Sequence, residues 1–135
     1  MNKKRVWVID DDDGILDVVS VLLESEGFEP VVINNPASVN KRVQTEQLPD
    51  LVILDILMSG VDGRDVAKLL KTGDDTKNIP IIMMSADMRA EEKAREAMAD
   101  DCIRKPFDID DLLKKVYKQL EKGEGNVQKH KNSHA

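Results

Sequence analysis

The sequence predicts an α/β fold, a parallel sheet with helices on both faces. Two observations carry this. Short, buried-looking apolar runs alternate with helically spaced apolar patterns along most of the chain, as a series of strand–helix–strand units requires. The chain of 135 residues is also the right length for one ordinary domain, with no room for a second.

Val6–Ile9 reads as the first strand. Ile15, Val18, Val19, Leu22 and Leu23 follow at helical spacing, and Gly27 is a natural stop. Val31–Ile33 is the second strand. Asn35-Pro36 has the form of an N-cap with proline in the first turn, opening a helix to about Gln47 whose thin apolar face is Val39 and Val43. Pro49 breaks the chain before the third strand, Leu51–Leu54. Ser59-Gly60-Val61-Asp62-Gly63 reads as a loop whose glycines serve the turn. Val66, Leu69 and Leu70 mark the next helix, and Pro80 precedes the strand Ile81–Met84. Arg89–Met98 is rich in good helix formers. Cys102-Ile103 is the last strand. Asp108 caps a final helix whose stripe of Ile109, Leu112, Leu113, Val116, Tyr117 and Leu120 is the clearest in the chain. The pattern stops at Gly123. Residues 1–122 are expected to form the domain, and 123–135 a disordered polar tail in which His130 and His134 are solvated.

Composition narrows the function. The net charge of −6 argues against a nucleic-acid surface, which needs a basic stripe. The single cysteine, Cys102, allows neither an internal disulfide nor a cysteine-based zinc site, and reads as a small core residue. The apolar run after Lys3-Lys4-Arg5 is too short for a signal core, and no stretch is long enough to span a membrane. A soluble cytoplasmic protein that contacts neither nucleic acid nor membrane is the expectation. Trp7 is expected to fill the core.

The strand ends carry the chemistry. The first strand runs into Asp10-Asp11-Asp12-Asp13, the third into Asp55, the fourth into Ser85, and the fifth is followed by Lys105-Pro106. Ligands of open α/β sheets bind outside the carboxyl ends of the strands, where the winding reverses. If the strand order is 2-1-3-4-5, the first and third strands are neighbours and Asp10, Asp11 and Asp55 converge. Two unpaired carboxylates about 5 Å apart repel by roughly 3 kcal/mol at an effective dielectric near 20. Such a cluster needs a cation or a proton, and Mg2+ suits it because it leaves positions for phosphate oxygens. An aspartate set apart from the rest can attack phosphorus to form an acyl phosphate, with an ammonium from Lys105 and a hydroxyl from Ser85 around the oxygens. Asp12 and Asp13 are read instead as caps of the first helix.

Asp10-Asp11, Asp55, Ser85-Ala86 and Lys105-Pro106-Phe107 resemble the invariant set of the response regulator receiver domain of two-component signalling, over about Lys4 to Lys122. The segment Leu51 to Leu70 is especially similar. The resemblance implies a flavodoxin-like, doubly wound five-stranded parallel sheet in the order 2-1-3-4-5 with five helices. It implies that Asp55 is the phosphoacceptor, that Asp11 ligates Mg2+ directly and Asp10 mainly through water, and that the backbone carbonyl of Leu57 is a further ligand. It implies that Ser85 is the switch hydroxyl and that Lys105 pairs with the phosphoryl group. The donor would be a phosphohistidine on a histidine kinase or phosphotransfer protein. Output would run to a downstream protein through Arg89–Met98, Cys102-Ile103 and Asp108–Lys122.

Three positions depart from the family pattern. Cys102 stands in place of a switch aromatic, Ser59 in place of a loop proline, and Met98 where glycine is frequent. The leading expectation is a phosphorylation-controlled switch that is no enzyme beyond self-phosphotransfer and autodephosphorylation. A constitutive interaction module on the same fold is the alternative that Cys102 suggests. A Mg2+-dependent phosphatase would need a substrate-binding cap that these short loops do not supply.

Overall fold

The computed structural model describes residues 3–58 and 60–132, with side chains through Lys122. In chain order its elements are β1 (Arg5–Ile9), α1 (Asp13–Ser25), β2 (Glu29–Ile33), α2 (Val39–Thr45), β3 (Leu51–Asp55), β4 (Leu57–Met58), β5 (Val61–Asp62), α3 (Gly63–Thr72), β6 (Ile81–Ser85), α4 (Ala90–Glu96), β7 (Asp101–Arg104) and α5 (Ile109–Asn132). Five strands form one parallel sheet in the order β2-β1-β3-β6-β7. Once the short pair β4 and β5 is set aside, this is the expected order 2-1-3-4-5, with the expected five helices.

Side chains alternate across each strand and so feed two cores. Trp7, Ile9, Leu54 and Met83 point to one face, which is covered by Val39 of α2, Val66 and Leu70 of α3, and Ala94 of α4. Val6, Val8, Ile53 and Met84 point to the other, covered by Leu16, Val19 and Leu23 of α1 and by Leu112 and Val116 of α5. Trp7 is buried as expected, at 1% exposure.

Helix ends follow local chemistry. Asp12 caps α1, its carboxylate accepting from the Gly14 and Ile15 amides, and Gly27 ends that helix at φ 87° with the Phe28 amide donating to the Leu23 carbonyl. Asn35 caps a short 3-10 turn, Pro36–Ser38, that leads into α2. Asp108 accepts from the Asp110 amide at the start of α5.

The structure also differs from the sequence reading in places. Strand β2 starts earlier, at Glu29, because it pairs with β1 from Arg5 onward. Helix α4 stops at Glu96, and Met98 adopts φ 64° in a turn closed by the Ala99 amide on the Ala94 carbonyl. That left-handed position is the one glycine favours. Where a loop is expected after β3, Leu57–Met58 and Val61–Asp62 pair antiparallel, with Leu57 opposite Asp62 and Met58 opposite Val61. The backbone of α5 stays helical through Asn132, past the Gly123 where a tail is expected; the Lys- and Gln-containing segment has no proline to stop it. The side chain of His130, Ser59 and residues 133–135 lie outside the described residues.

Candidate acidic site at the carboxyl rim of the sheet

Parallel pairing of β1 with β3 brings Ile9 opposite Leu54. Asp10 and Asp55, the next residue on each strand, therefore leave the sheet at the same rim. Asp11 completes the group, and ligand oxygens of Asp10, Asp11 and Asp55 all lie within 4.8 Å of one another. The three differ in exposure. Asp10 is fully buried and Asp55 is 5% exposed, whereas Asp11 faces solvent. One Asp10 oxygen is engaged by the Asp12 amide at 3.0 Å, which ties the acidic turn to the start of α1.

Lys105 arrives from the opposite side. Its amide donates to the Ser85 carbonyl at 2.8 Å, continuing the β6–β7 ladder past Arg104, and the Lys105–Pro106 bond is cis. Its ammonium lies 2.9 Å from Asp10 Oδ2 and 3.1 Å from Asp55 Oδ1. The ammonium thus pairs with both buried carboxylates of the group. The Asp55 carboxyl has its pKa raised from 3.8 to about 6. Burial is the largest cause. The hydrogen bond from Lys105 opposes it, and the charges of Asp10 and Asp11 reinforce it. Burial alone would lower the Lys105 pKa, but its bonds to Asp10 and Asp55 outweigh that and hold it above its ordinary value.

Ser85 ends β6 at the same rim, following Met84, which pairs with Asp55. Ser85 is 2% exposed, and its hydroxyl accepts the Asp87 amide at 3.0 Å. Leu57 lies two residues beyond Asp55 in β4, its side chain 65% exposed. Cys102, on β7, is half-buried against the α4 side of the sheet, and burial pushes its thiol pKa up.

Sequence reading assigned both loop glycines to the turn. Gly60, at φ 72°, does serve it. Gly63 serves a close approach instead: a Cβ there would sit 2.0 Å from the Asp55 carbonyl oxygen, and the Gly63 amide donates to Ile56 at 2.7 Å. The sequence also did not reveal the ion pair of Asp87 with Lys93 at 2.5 Å, or Asp62 capping α3 while bonding Arg64. No periodicity marks such pairs.

The donors are hard oxygens in the number a small divalent cation accepts, so the residues fit Mg2+. A buried acid group beside one ammonium can also receive a phosphoryl group, since the charge it brings needs neutralising more than it needs covalent help.

The response regulator receiver domain family model matches residues 6–117. The chain belongs to this family. It is a receiver domain of two-component signalling, a class that takes phosphoryl groups from histidine kinases. It is 32% identical over 124 residues to the DNA-binding response regulator MtrA of Mycolicibacterium smegmatis, an alignment covering 90% of this chain and 53% of that protein. The receiver domain spans about half the length of the curated relatives it matches. A putative response regulator from Chloroflexus aurantiacus superposes with TM-score 0.83 at 28% identity, covering 88% of this chain and 98% of that one. A CheY-like receiver domain protein from Methanospirillum hungatei gives TM-score 0.83 at 25% identity, over 93% of this chain and 99% of the other. Among the described residues, no helix is long and apolar enough to cross a membrane.

Proposed function

We propose that this receiver domain is a phosphorylation-controlled switch in which Asp55 accepts a phosphoryl group from a phosphohistidine on a histidine kinase or phosphotransfer protein. An Asp55 carboxylate oxygen forms the new bond to phosphorus. The phosphorus–nitrogen bond of the donor breaks, and its electron pair returns to the imidazole. Asp11, Asp10, Asp55 and the backbone carbonyl of Leu57 would hold Mg2+, which supplies charge neutralisation for the phosphoryl oxygens. Lys105 offsets charge on the same group, and Ser85 turns its hydroxyl toward it.

The observation that carries the reading is the crowded acidic site: a nearly buried Asp55 within ligand reach of two further carboxylates, with the Lys105 ammonium bonded to it. The domain is residues 1–122, and 123–135 takes no part in the chemistry. Turnover is limited to the domain's own phosphoryl group, so no separate enzymatic substrate exists. The setting is the cytoplasm. Output runs through protein contacts at Arg89–Met98, Cys102-Ile103 and Asp108–Lys122, and the net charge of −6 supports a protein partner over nucleic acid.

A small-molecule phosphodonor with Mg2+ should add one acid-labile phosphoryl group per chain, and Asp55→Asn should prevent it. Labelling that persists in Asp55→Asn removes the assignment. A second reading, a constitutive interaction module, draws on Cys102, which occupies β7 with a small thiol. It predicts a beryllofluoride response in chemical shifts that stays at the rim and never reaches α4, β7 or α5.

A further inference from the structure

Asp87 and Lys93 lie outside the acidic cluster, yet Asp87 touches the hydroxyl that the proposed chemistry moves, and Lys93 touches Asp87. The Asp87 amide donates to Ser85 Oγ at 3.0 Å. The Asp87 carboxylate in turn accepts the Arg89 amide at 2.7 Å and the Lys93 ammonium at 2.5 Å. Lys93 belongs to α4, whose inner residues Ala90 and Ala94 are buried against the sheet, so its stem starts from a fixed element. The same ammonium acts electrostatically on Asp62, the cap of α3 at the end of the loop that follows Asp55.

We infer that Lys93 is a positioning residue that holds Ser85 in its resting orientation, acting through Asp87. The inference rests on the switch reading above and adds a regulator to it. If Ser85 turns toward a phosphoryl group on Asp55, its oxygen leaves the Asp87 amide. A free 86–89 loop follows or hydrates that amide at little cost. A loop pinned to α4 by Lys93 does not follow, so the turn works against the pin. Both partners of the pair are partly solvated, with side-chain exposures of 21% and 28%, so its effect is modest. Removing it should favour the turned state about two- to fivefold.

The test uses the full chain, with Lys93→Met, Asp87→Asn, the double variant, and Glu92→Gln, which breaks the neighbouring pair with Arg89. Amide hydrogen exchange at Asp87 is measured without any phosphoryl mimic. Affinity for beryllofluoride is measured with Mg2+. Lys93→Met should speed exchange at Asp87 with no change in β3, and should tighten beryllofluoride binding about two- to fivefold. Asp87→Asn should act alike, the double variant should add nothing to either single change, and Glu92→Gln should leave both readouts unmoved. Unchanged exchange and affinity in Lys93→Met, or additive effects in the double variant, overturns the inference. A wild-type chain that takes up no beryllofluoride overturns the switch reading instead. In that case the exchange measurement still decides whether Lys93 fixes the Ser85–Asp87 contact.

Discussion

Both rims of the sheet carry charge, and the two behave oppositely. At the amino rim, Asp50 accepts the Arg5 amide at 2.7 Å, and Asp100 accepts the Ile81 amide at 2.7 Å and the Lys71 ammonium at 2.6 Å. Lys71 also donates to the Ile79 carbonyl at 2.9 Å. At the carboxyl rim, Asp10, Asp11 and Asp55 crowd together, with the Lys105 ammonium on Asp10 and Asp55. The difference lies in crowding. Asp50 and Asp100 each accept the leading amide of a strand, Arg5 and Ile81. Asp10, Asp11 and Asp55 have ligand oxygens within 4.8 Å of one another, so each raises the cost of ionising the others. The same residue type is thus a backbone clamp on one side of the sheet and part of a like-charge cluster on the other.

The sharpest way to break this contrast is to remove one lysine from each rim. Lys105→Met should slow phosphodonor labelling of Asp55 by about 100-fold, as loss of a preorganised charge at a reacting oxygen does. Lys71→Met should leave labelling unchanged and lower stability by about 1–2 kcal/mol in urea unfolding, because Asp100 keeps its backbone donor. Equal effects of both variants on labelling would erase the distinction.

The next effect in size concerns pH. The Asp55 carboxyl has pKa about 6 in the folded chain against 3.8 for the ordinary group. The folded state therefore binds the proton more tightly, and stability falls as pH rises through that window. The loss persists at higher pH. Full conversion of the shift gives about 3 kcal/mol, and solvent screening reduces it. Without divalent cations, Asp55→Asn should raise stability at pH 7 by about 1–2 kcal/mol, and the gain should vanish near pH 4. A gain that grows as pH falls would contradict the strained-carboxylate account.

The smallest effect belongs to the amino rim. Met98 holds φ 64° in the turn before β7, with its side chain 48% exposed. Met98→Gly should add about 0.5–1 kcal/mol in thermal or urea unfolding and leave labelling unaltered.

Much of this was legible in the sequence, for reasons that differ by element. The five sheet strands are short apolar runs bounded by breakers, and they could be placed without coordinates. Convergence of Asp10, Asp11 and Asp55 followed once the strand order was supplied by family resemblance; composition alone would not have supplied it. The pair β4–β5 was missed because two-residue strands have no period. The short α4 was overdrawn because Ala97 and Met98 have ordinary helical character, while the turn that stops the helix is set by backbone geometry. The link from Lys93 to Asp87 joins a helix to a loop through side chains alone, and no spacing rule encodes it.

Gly63 has a practical consequence for anyone reshaping the protein. The peptide of Asp55 lies against the first turn of α3, and any Cβ at position 63 would land 2.0 Å from the Asp55 carbonyl oxygen. A Cβ at Gly60 would meet nothing within 4 Å, so space there is open and only the φ of 72° favours glycine. A single methyl at position 63 has no such space, and the first thing it would displace is the backbone of Asp55 itself.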